Sequence, residues 1–316
     1  MTDALPSTVV PVRPPLRWLG GKHGLIRDYS RHLLSRDKFT VFHDAMTGGG
    51  AVPFEWAYGC DQLHLNDKLP EIVAYYTHAR DDVEGLIEGA SLPSERMIHA
   101  IRSDGIEAGR EVFNETRGLL SDWRTQERPV LSTEAAVWML VLNRTSTNGL
   151  HRMSRNGRCN MAIRKDLAQL VLREDLDLVR ADGLRALHRL LPRANAMLTC
   201  GDFEVATACV QAGEYVFFDP PYDPNPKRLV KGKSAAGFTA YTADGFTEED
   251  HQRLSDDLVR LDGIGAFFTL TARSTVETRA RYAQWTTHEV DMRHGNSMKS
   301  SGREVVRELI VTNVGP

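Results

Sequence analysis

No apolar run in this 316-residue chain approaches the length of a bilayer span, which excludes a membrane-crossing helix. The opening stretch, Met1 to Pro15, carries prolines and no apolar core of a secretory signal, so a cytoplasmic protein with a short flexible lead (residues 1–15) is expected. Cysteine is scarce. Cys60, Cys159, Cys200 and Cys209 are widely scattered, with no close pair and no histidine at zinc spacing, which points to reduced thiols and no metal site. Internal repeats and low-complexity segments are also missing, which removes solenoids and disordered arrays. An excess of one charge sign is lacking too. A net charge of −3 gives no global attraction for a polyanion, so the distribution of charge has to decide whether nucleic acid is a partner. With 41% apolar and 26% charged residues, the chain can bury a sizeable core, as one large α/β domain or as a domain carrying a substantial insertion.

What is present is an apolar, β-prone run that stops abruptly, Tyr215-Val216-Phe217-Phe218 followed by Asp219-Pro220-Pro221-Tyr222. A strand of an open α/β sheet delivers its last side chains to the crevice beyond the carboxyl ends of the strands, where such folds bind ligands. There an acid and a neighbouring carbonyl can accept both hydrogens of an exocyclic amino group. Prolines hold the backbone, and a tyrosine ring can lie flat on a heteroaromatic base. The pattern describes a pocket for the amine of adenine or cytosine. Two prolines after a strand are also ordinary turn punctuation, so the reading needs company. Company comes from Asp44-Ala45-Met46-Thr47-Gly48-Gly49-Gly50-Ala51, a glycine turn between the apolar run Phe39 to His43 and a second apolar stretch, where backbone can approach a ligand closely. Further on, Gln62-Leu63-His64-Leu65 ends in Asn66-Asp67, the place where a Rossmann-type fold keeps the acid for ribose hydroxyls.

Charge is distributed unevenly. From Asn143 to Lys165 there are six basic residues (Arg144, Arg152, Arg155, Arg158, Arg164, Lys165) and no acid, in a stretch broken by polar residues, Gly149 and Gly157 that reads as a hairpin with exposed loops. A second basic group, Lys227, Arg228, Lys231 and Lys233, follows the Asp-Pro-Pro-Tyr block. A basic run is commonly a solvated face; two acid-free clusters, one beside the amine pocket, favour phosphate contact. Residues 71–130 read as helical, and Ser132 to Leu142 as another helix capped by Ser132 or Thr133. Strands are expected at Ala196–Cys200, Tyr215–Phe218, Ala266–Leu270, Thr286–Asp291 and Val305–Thr312.

Five blocks in order carry a family resemblance: Leu16-Arg17-Trp18-Leu19-Gly20-Gly21-Lys22, the turn at 44–51, Asn143-Arg144-Thr145 with Asn148-Gly149-Leu150, Asp219 to Tyr222, and Phe238-Thr239-Ala240-Tyr241-Thr242 with Phe246 to Asp250. With the ending Glu308 to Asn313, the chain resembles the Dam-type, or D12 class, DNA adenine methyltransferases across residues 16–313. The resemblance implies an α/β class I S-adenosylmethionine-dependent methyltransferase fold, a Rossmann-like seven-stranded sheet with its last strand antiparallel. It places the catalytic domain at 16–70 and 190–316 and a target-recognition insertion at 71–189. It further implies that Asp219, Pro220, Pro221 and Tyr222 hold and polarise a flipped-out adenine amine. Trp18, Lys22, Asp44, Gly48, Gly50, Asp67, Asp202, Phe203 and Asp219 would bind S-adenosylmethionine. Arg144, Asn148, Arg152, Arg155, Arg158, Lys227 and Arg228 would touch double-stranded DNA. No metal is implied, a cognate restriction endonuclease is a partner the resemblance allows, and a monomer is the default state.

The chain also departs from its relatives. Ala45-Met46 replaces a common Pro-Phe, Thr147 stands where many relatives carry an aromatic wedge, Cys159-Asn160-Met161-Ala162 lacks the usual aromatic, and Thr271-Ala272-Arg273-Ser274 replaces a Ser-Asn pair. These changes leave the target sequence open, GATC included. Three alternatives remain: an amino methyltransferase acting on cytosine or RNA, a DNA-binding relative without turnover, and a dinucleotide-binding dehydrogenase. Trp18 and Phe203 can equally be core aromatics.

Overall fold

The computed structural model describes residues 10–18, 20–22, 26–126, 131–154, 156–174, 176–221, 246–292 and 306–314. Tyr222, Arg155, Lys227, Arg228 and the Phe238–Thr242 block lie outside these residues. Seven strands form one sheet: β1 (Val41–Asp44), β2 (Gln62–Asp67), β3 (Met197–Cys200), β4 (Tyr215–Phe218), β5 (Phe267–Arg273), β6 (Thr286–Met292) and β7 (Val306–Thr312). Their order is β3-β2-β1-β4-β5-β7-β6, parallel from β3 to β5, with β7 antiparallel to both β5 and β6. The Rossmann-like mixed sheet expected from the sequence is therefore present. β5 runs three residues past the expected Leu270, because β7 continues to pair with it: Thr271 faces Ile310 and Arg273 faces Glu308.

β4 is buried on both sides, which explains an apolar run without alternation. Tyr215 and Phe217 point into one core, Val216 and Phe218 into the other. On the first face, α3 (Pro70–Asp81) packs on β2 and β3, its Pro70 standing at the first turn where a missing N–H costs nothing. The following helices α4 (Val83–Asp104), α5 (Ile106–Arg124) and α6 (Thr133–Thr145) pack on one another and on α3, and their buried side chains join those of the sheet in one continuous core. Ser132 caps α6 by accepting the Ala135 N–H at 3.3 Å, as the sequence suggested. On the second face lies α10 (Glu248–Gly263), opened by a Thr247/Asp250 capping box and burying Leu254, Leu258 and Leu261 at helical spacing. Between these come α1 (Ile26–Tyr29), α2 (Ala51–Glu55), α7 (Leu167–Leu172), α8 (Ala181–Arg193) and α9 (Phe203–Thr207), with α11 (Val276–Arg281) after β5. Among the described residues no helix is long and apolar enough to cross a membrane.

The basic segment at 143–165 is a hairpin only in part. Asn143, Arg144 and Thr145 complete the last turn of α6. Beyond them two antiparallel bridges, Ser146 with Ile163 and Met153 with Cys159, hold a narrow loop that turns at Ser154–Arg158 around Gly157 (φ 74°). Met153, Cys159, Met161 and Ile163 are buried, so the loop is pinned to the helices through its apolar side.

The turn into α2 has no room for side chains. Gly50 has φ 74°, and a Cβ there would sit 2.1 Å from the Phe54 ring and 2.9 Å from the Tyr76 hydroxyl. Gly50→Ala is therefore expected to lose about 2 to 3 kcal/mol of stability from strain and overpacking combined. Urea unfolding measures it, and an unchanged midpoint would mean that the turn can relax.

Candidate active site

β1 and β4 are neighbours at the point where the strand order reverses, and their carboxyl ends open the crevice of the fold. Asp44 ends β1, and Asp219 follows β4 directly. The Asp219 carboxylate is held from two sides. Lys22 Nζ donates to its oxygens at 2.7 and 2.8 Å, and Thr271 Oγ1 of β5 donates to Oδ1 at 2.7 Å. Lys22 is 2% exposed; its Nζ also donates to the Gly20 carbonyl and lies 3.2 Å from Oε1 of Glu308 on β7. Pro220 is buried and Pro221 half-buried.

Two further carboxyls stand at the ends of β1 and β2. Burial pushes Asp44 well above the usual carboxylate range, aided by Asp219 and Asp67 and opposed by the Met46 N–H and Lys22. Burial likewise pushes Asp67 up to about 6, although its oxygens accept the N–H groups of Leu69 and Gly48, each at 2.8 Å. Asp67 thus fixes the glycine turn from the end of β2. Asn66, beside it and 1% exposed, ties the turn to the exit of β3, its Nδ2 donating to the carbonyls of Ala45 and Gly201 at 3.0 Å. Trp18 covers the turn so closely that a Cβ on Gly48 would lie 2.5 Å from its Nε1. Asp202 caps α9 through the Phe203 N–H (2.8 Å) and pairs with Lys68 and Arg253, each at 3.1 Å. Phe203 is 2% exposed, with the Arg253 guanidinium over its ring.

The strip Arg17-Trp18 connects this pocket to the insertion. Asn143 accepts the Arg17 N–H at 2.8 Å and donates to the Arg17 carbonyl at 2.7 Å, while Gly149 (φ 67°) packs so closely that a Cβ would lie 2.3 Å from that carbonyl. Trp18 stacks on His151 (centroids 6.3 Å apart). His151 in turn places Nε2 2.6 Å from the fully buried Glu71, which Arg124 of α5 also engages. None of Asn66, Thr271, Glu308, His151 or Glu71 was singled out from the sequence.

The basic residues separate into different environments. Arg144 is committed to the carbonyls of Asp177 (3.2 Å) and Pro15 (3.5 Å), and burial beside Arg180 and Arg17 lowers its pKa to about 10. From the end of α6 it ties these segments together. Arg158 is exposed and paired with Asp122 at 2.8 Å, Arg152 is half-buried, and Asn148 adopts φ 57° at the start of the loop. Sequence spacing gave the cysteines no histidine partner; in the fold β1 and β2 set His43 beside His64, and their ligand atoms come within 4.8 Å of one another and of Cys209. The His43 ring already meets Glu214 at 2.8 Å.

That strand order, with the antiparallel last strand inserted between β5 and β6, is the class I S-adenosylmethionine-dependent methyltransferase fold, and Asp219 stands in its crevice. Comparison of sequences narrows the class. The D12 class N6 adenine-specific DNA methyltransferase profile matches residues 18–294, and the chain belongs to that family. It is 28% identical over 313 residues to the Type II methyltransferase M1.LlaDCHI of Lactococcus lactis subsp. cremoris, covering 99% of both chains. It is 27% identical over 271 residues to the Type II methyltransferase M.MjaIII of Methanocaldococcus jannaschii, covering 84% of this chain and 86% of that one. To the DNA adenine methylase of Escherichia coli (strain K12) it is 24% identical over 298 residues, covering 93% of each.

The Glu71 pair lends itself to a test by pH. Burial would push its carboxyl up, but the contacts with His151 and Arg124 outweigh burial and hold it below its ordinary value. A group depressed in this way contributes stability that is complete above the unfolded pKa of about 4.3 and is lost as the pH falls through the folded value. Glu71→Gln should therefore cost about 3 kcal/mol at pH 7, as breaking a buried pair does, and the gap to wild type should close in acid. Urea titrations at pH 7 and below pH 4 measure both; an equal gap at the two would show that the charge is not what matters.

Proposed function

We propose that this protein transfers the methyl group of S-adenosylmethionine to the exocyclic 6-amino group of an adenine in a specific double-stranded DNA sequence, with the target base drawn out of the duplex. The observation that carries the reading is Asp219, presented at the end of β4 in the fold's ligand crevice, oriented by Lys22 and Thr271, and followed by two prolines. The crevice suits a cationic cofactor: Asp44 is a buried carboxyl whose proximity to Asp219 and Asp67 costs energy that a positive charge would relieve. Trp18, Lys22, Asp44, Gly48, Gly50 and Asp67 would surround the methionine and ribose portions, and Asp202 with Phe203 the adenine at the start of α9. Bound there, S-adenosylmethionine supplies a methyl group already activated by its sulfonium.

The amine of adenine is a poor nucleophile because its lone pair is delocalised into the ring. Hydrogen bonds to the Asp219 carboxylate and the Pro220 carbonyl would favour a pyramidal nitrogen and stabilise the positive charge that develops on it. Tyr222, by its place in the chain, would stack on the extruded base. Within the insertion, Arg152 and Asn148 are assigned to bases and Arg158 to a phosphate; Arg155, Lys227 and Arg228 are assigned to phosphates on sequence alone. The exposed pair of Arg158 with Asp122 contributes little, so its charge remains available to DNA.

Asp219→Ala should abolish methylation of duplex DNA while most of the cofactor affinity survives, because the carboxylate acts chiefly as charge develops. Near-normal turnover would move catalysis elsewhere. Asp67→Ala should do the opposite, weakening cofactor binding by roughly 1.5 to 3 kcal/mol in calorimetric titration.

For the insertion, Arg158→Ala should weaken binding to all duplexes alike and reduce the slope of log affinity against log salt by about one. Arg152→Ala should instead narrow the gap between target and scrambled DNA, by about 1 to 3 kcal/mol if it reads a guanine. Unchanged affinity, slope and discrimination in both variants would place DNA contact outside this loop.

A further inference from the structure

Glu308 lies 1% exposed in the middle of β7, a strand whose neighbouring side chains Leu309, Ile310 and Val311 are buried and apolar. A carboxylate is costly in such a place unless something compensates it. Among the described residues neither of its oxygens receives a well-directed hydrogen bond, yet Lys22 Nζ stands 3.2 Å from Oε1. Burial pushes the Glu308 carboxyl up, and Lys22 is the cation that draws it back down. The same ammonium holds both oxygens of Asp219. Lys22 is therefore shared between two acids, one at the reacting end of the crevice and one behind it.

The charge count gives this arrangement a consequence. Asp219 and Lys22 together are neutral, and a neutral pair offers little stabilisation to an amine that becomes cationic. Adding the Glu308 carboxylate leaves the trio with one net negative charge, in a buried setting where charges act strongly. We infer that Glu308 is a positioning residue for methyl transfer: by sharing Lys22 it keeps that lysine fixed while leaving the Asp219 carboxylate its negative charge for the target amine. The inference deepens the proposed methyl-transfer reading and depends on it. Glu308 is 1% exposed and its charged contact is with Lys22, so it acts through that lysine.

The experiment is a double-mutant cycle with two readouts. Single-turnover methylation, at saturating cofactor and target duplex, is measured for wild type, Glu308→Gln, Lys22→Met and the double variant. Calorimetry gives, for each, the affinity ratio of S-adenosylmethionine, which carries a sulfonium charge, to S-adenosylhomocysteine, which does not. Glu308→Gln should slow the step on the order of 10- to 100-fold, less than the ~100- to 1000-fold typical of removing a group that touches the reacting atoms. It should also lower the affinity ratio. Adding Lys22→Met to Glu308→Gln restores one net negative charge but also removes a group that orients Asp219, so the double variant should regain the ratio and lose less rate than the two single losses multiplied together. A Glu308→Gln enzyme with full rate and an unchanged ratio overturns the inference. So does a double variant whose rate loss equals the two single losses multiplied and whose ratio stays low, since a carboxylate that merely fills space would give independent losses. Thermal unfolding checks that each variant is folded. If Glu308→Gln alone does not fold, the comparison of Lys22→Met with the double variant decides instead, and a further loss of rate in the double variant overturns the inference. Wild type against Asp219→Ala separates the two levels. Absence of methylation by wild type removes both readings, whereas an active wild type with an indifferent Glu308→Gln removes this one alone.

Discussion

An ammonium group 2% exposed can stay charged only among carboxylates, and Lys22 finds them at opposite ends of the fold. Asp219 is 197 positions away in the chain, at the end of a central strand, and Glu308 lies on the last strand. The lysine thus ties the start of the described chain to the middle and the edge-forming hairpin of the sheet. Breaking one partner of such a pair leaves a buried charge without compensation, which is worth several kcal/mol in comparable cases. The ligand crevice between β1 and β4 is framed around that ammonium. Asp44, at the end of β1, senses the same ammonium, and Asp67 is raised by burial at the end of β2, so the crevice holds more carboxyl groups than one lysine can neutralise. A site built with this surplus is prepared for a cation.

The glycine turn and the recognition insertion meet through two consecutive residues. Arg17 is held by its backbone between Asn143 and Gly149, and Trp18 lays its ring over Gly48 and Gly49 while stacking on His151. Glu71 and Arg124 continue the line into α3 and α5. The floor of the crevice and the base of the basic loop are therefore one packed assembly. A shift of the loop cannot leave Trp18 in place without opening a gap against His151, and close-packed interiors resist such gaps. The continuity is structural; two-state coupling between the sites is a separate matter that contiguity alone does not establish.

What the sequence made legible is what is local. The unbroken apolar run of β4 and its Asp-Pro-Pro ending, the glycine turn, the acid at the end of β2 and the cap at Ser132 are all written within a few residues, and each stands where the pattern put it. The parts that escaped depend on partners brought from afar. Glu308 looked like one polar residue in a closing strand; only the arrival of Lys22 gives it a purpose. Thr271 lay one residue past the expected end of β5, and it became visible once β7 extended that strand. Arg144 was counted with the basic loop because periodicity did not show that α6 runs through Thr145, which turns the guanidinium toward Asp177 and Pro15. His43, His64 and Cys209 were dismissed on spacing along the chain, although parallel pairing of β1 and β2 sets the two rings 4.3 Å apart.

The carboxylate surplus also bears on how DNA can be approached. A crevice lined by the carboxyl groups of Asp44, Asp67, Asp219 and Glu308 offers a phosphate backbone one buried cation, Lys22, which Asp219 and Glu308 already engage. The chain separates the charges along its length: the acids stand at the carboxyl ends of β1, β2 and β4 and within β7, while the acid-free stretch from Asn143 to Lys165 carries its basic residues on the insertion. A net charge near zero hides this division. On the proposed reading, phosphates stay with the insertion and only the neutral base crosses into the acidic crevice, where it turns cationic as the methyl group arrives. On that reading the site that gives phosphates no free partner is the one that stabilises the amine as it turns cationic, which favours bringing in the base alone.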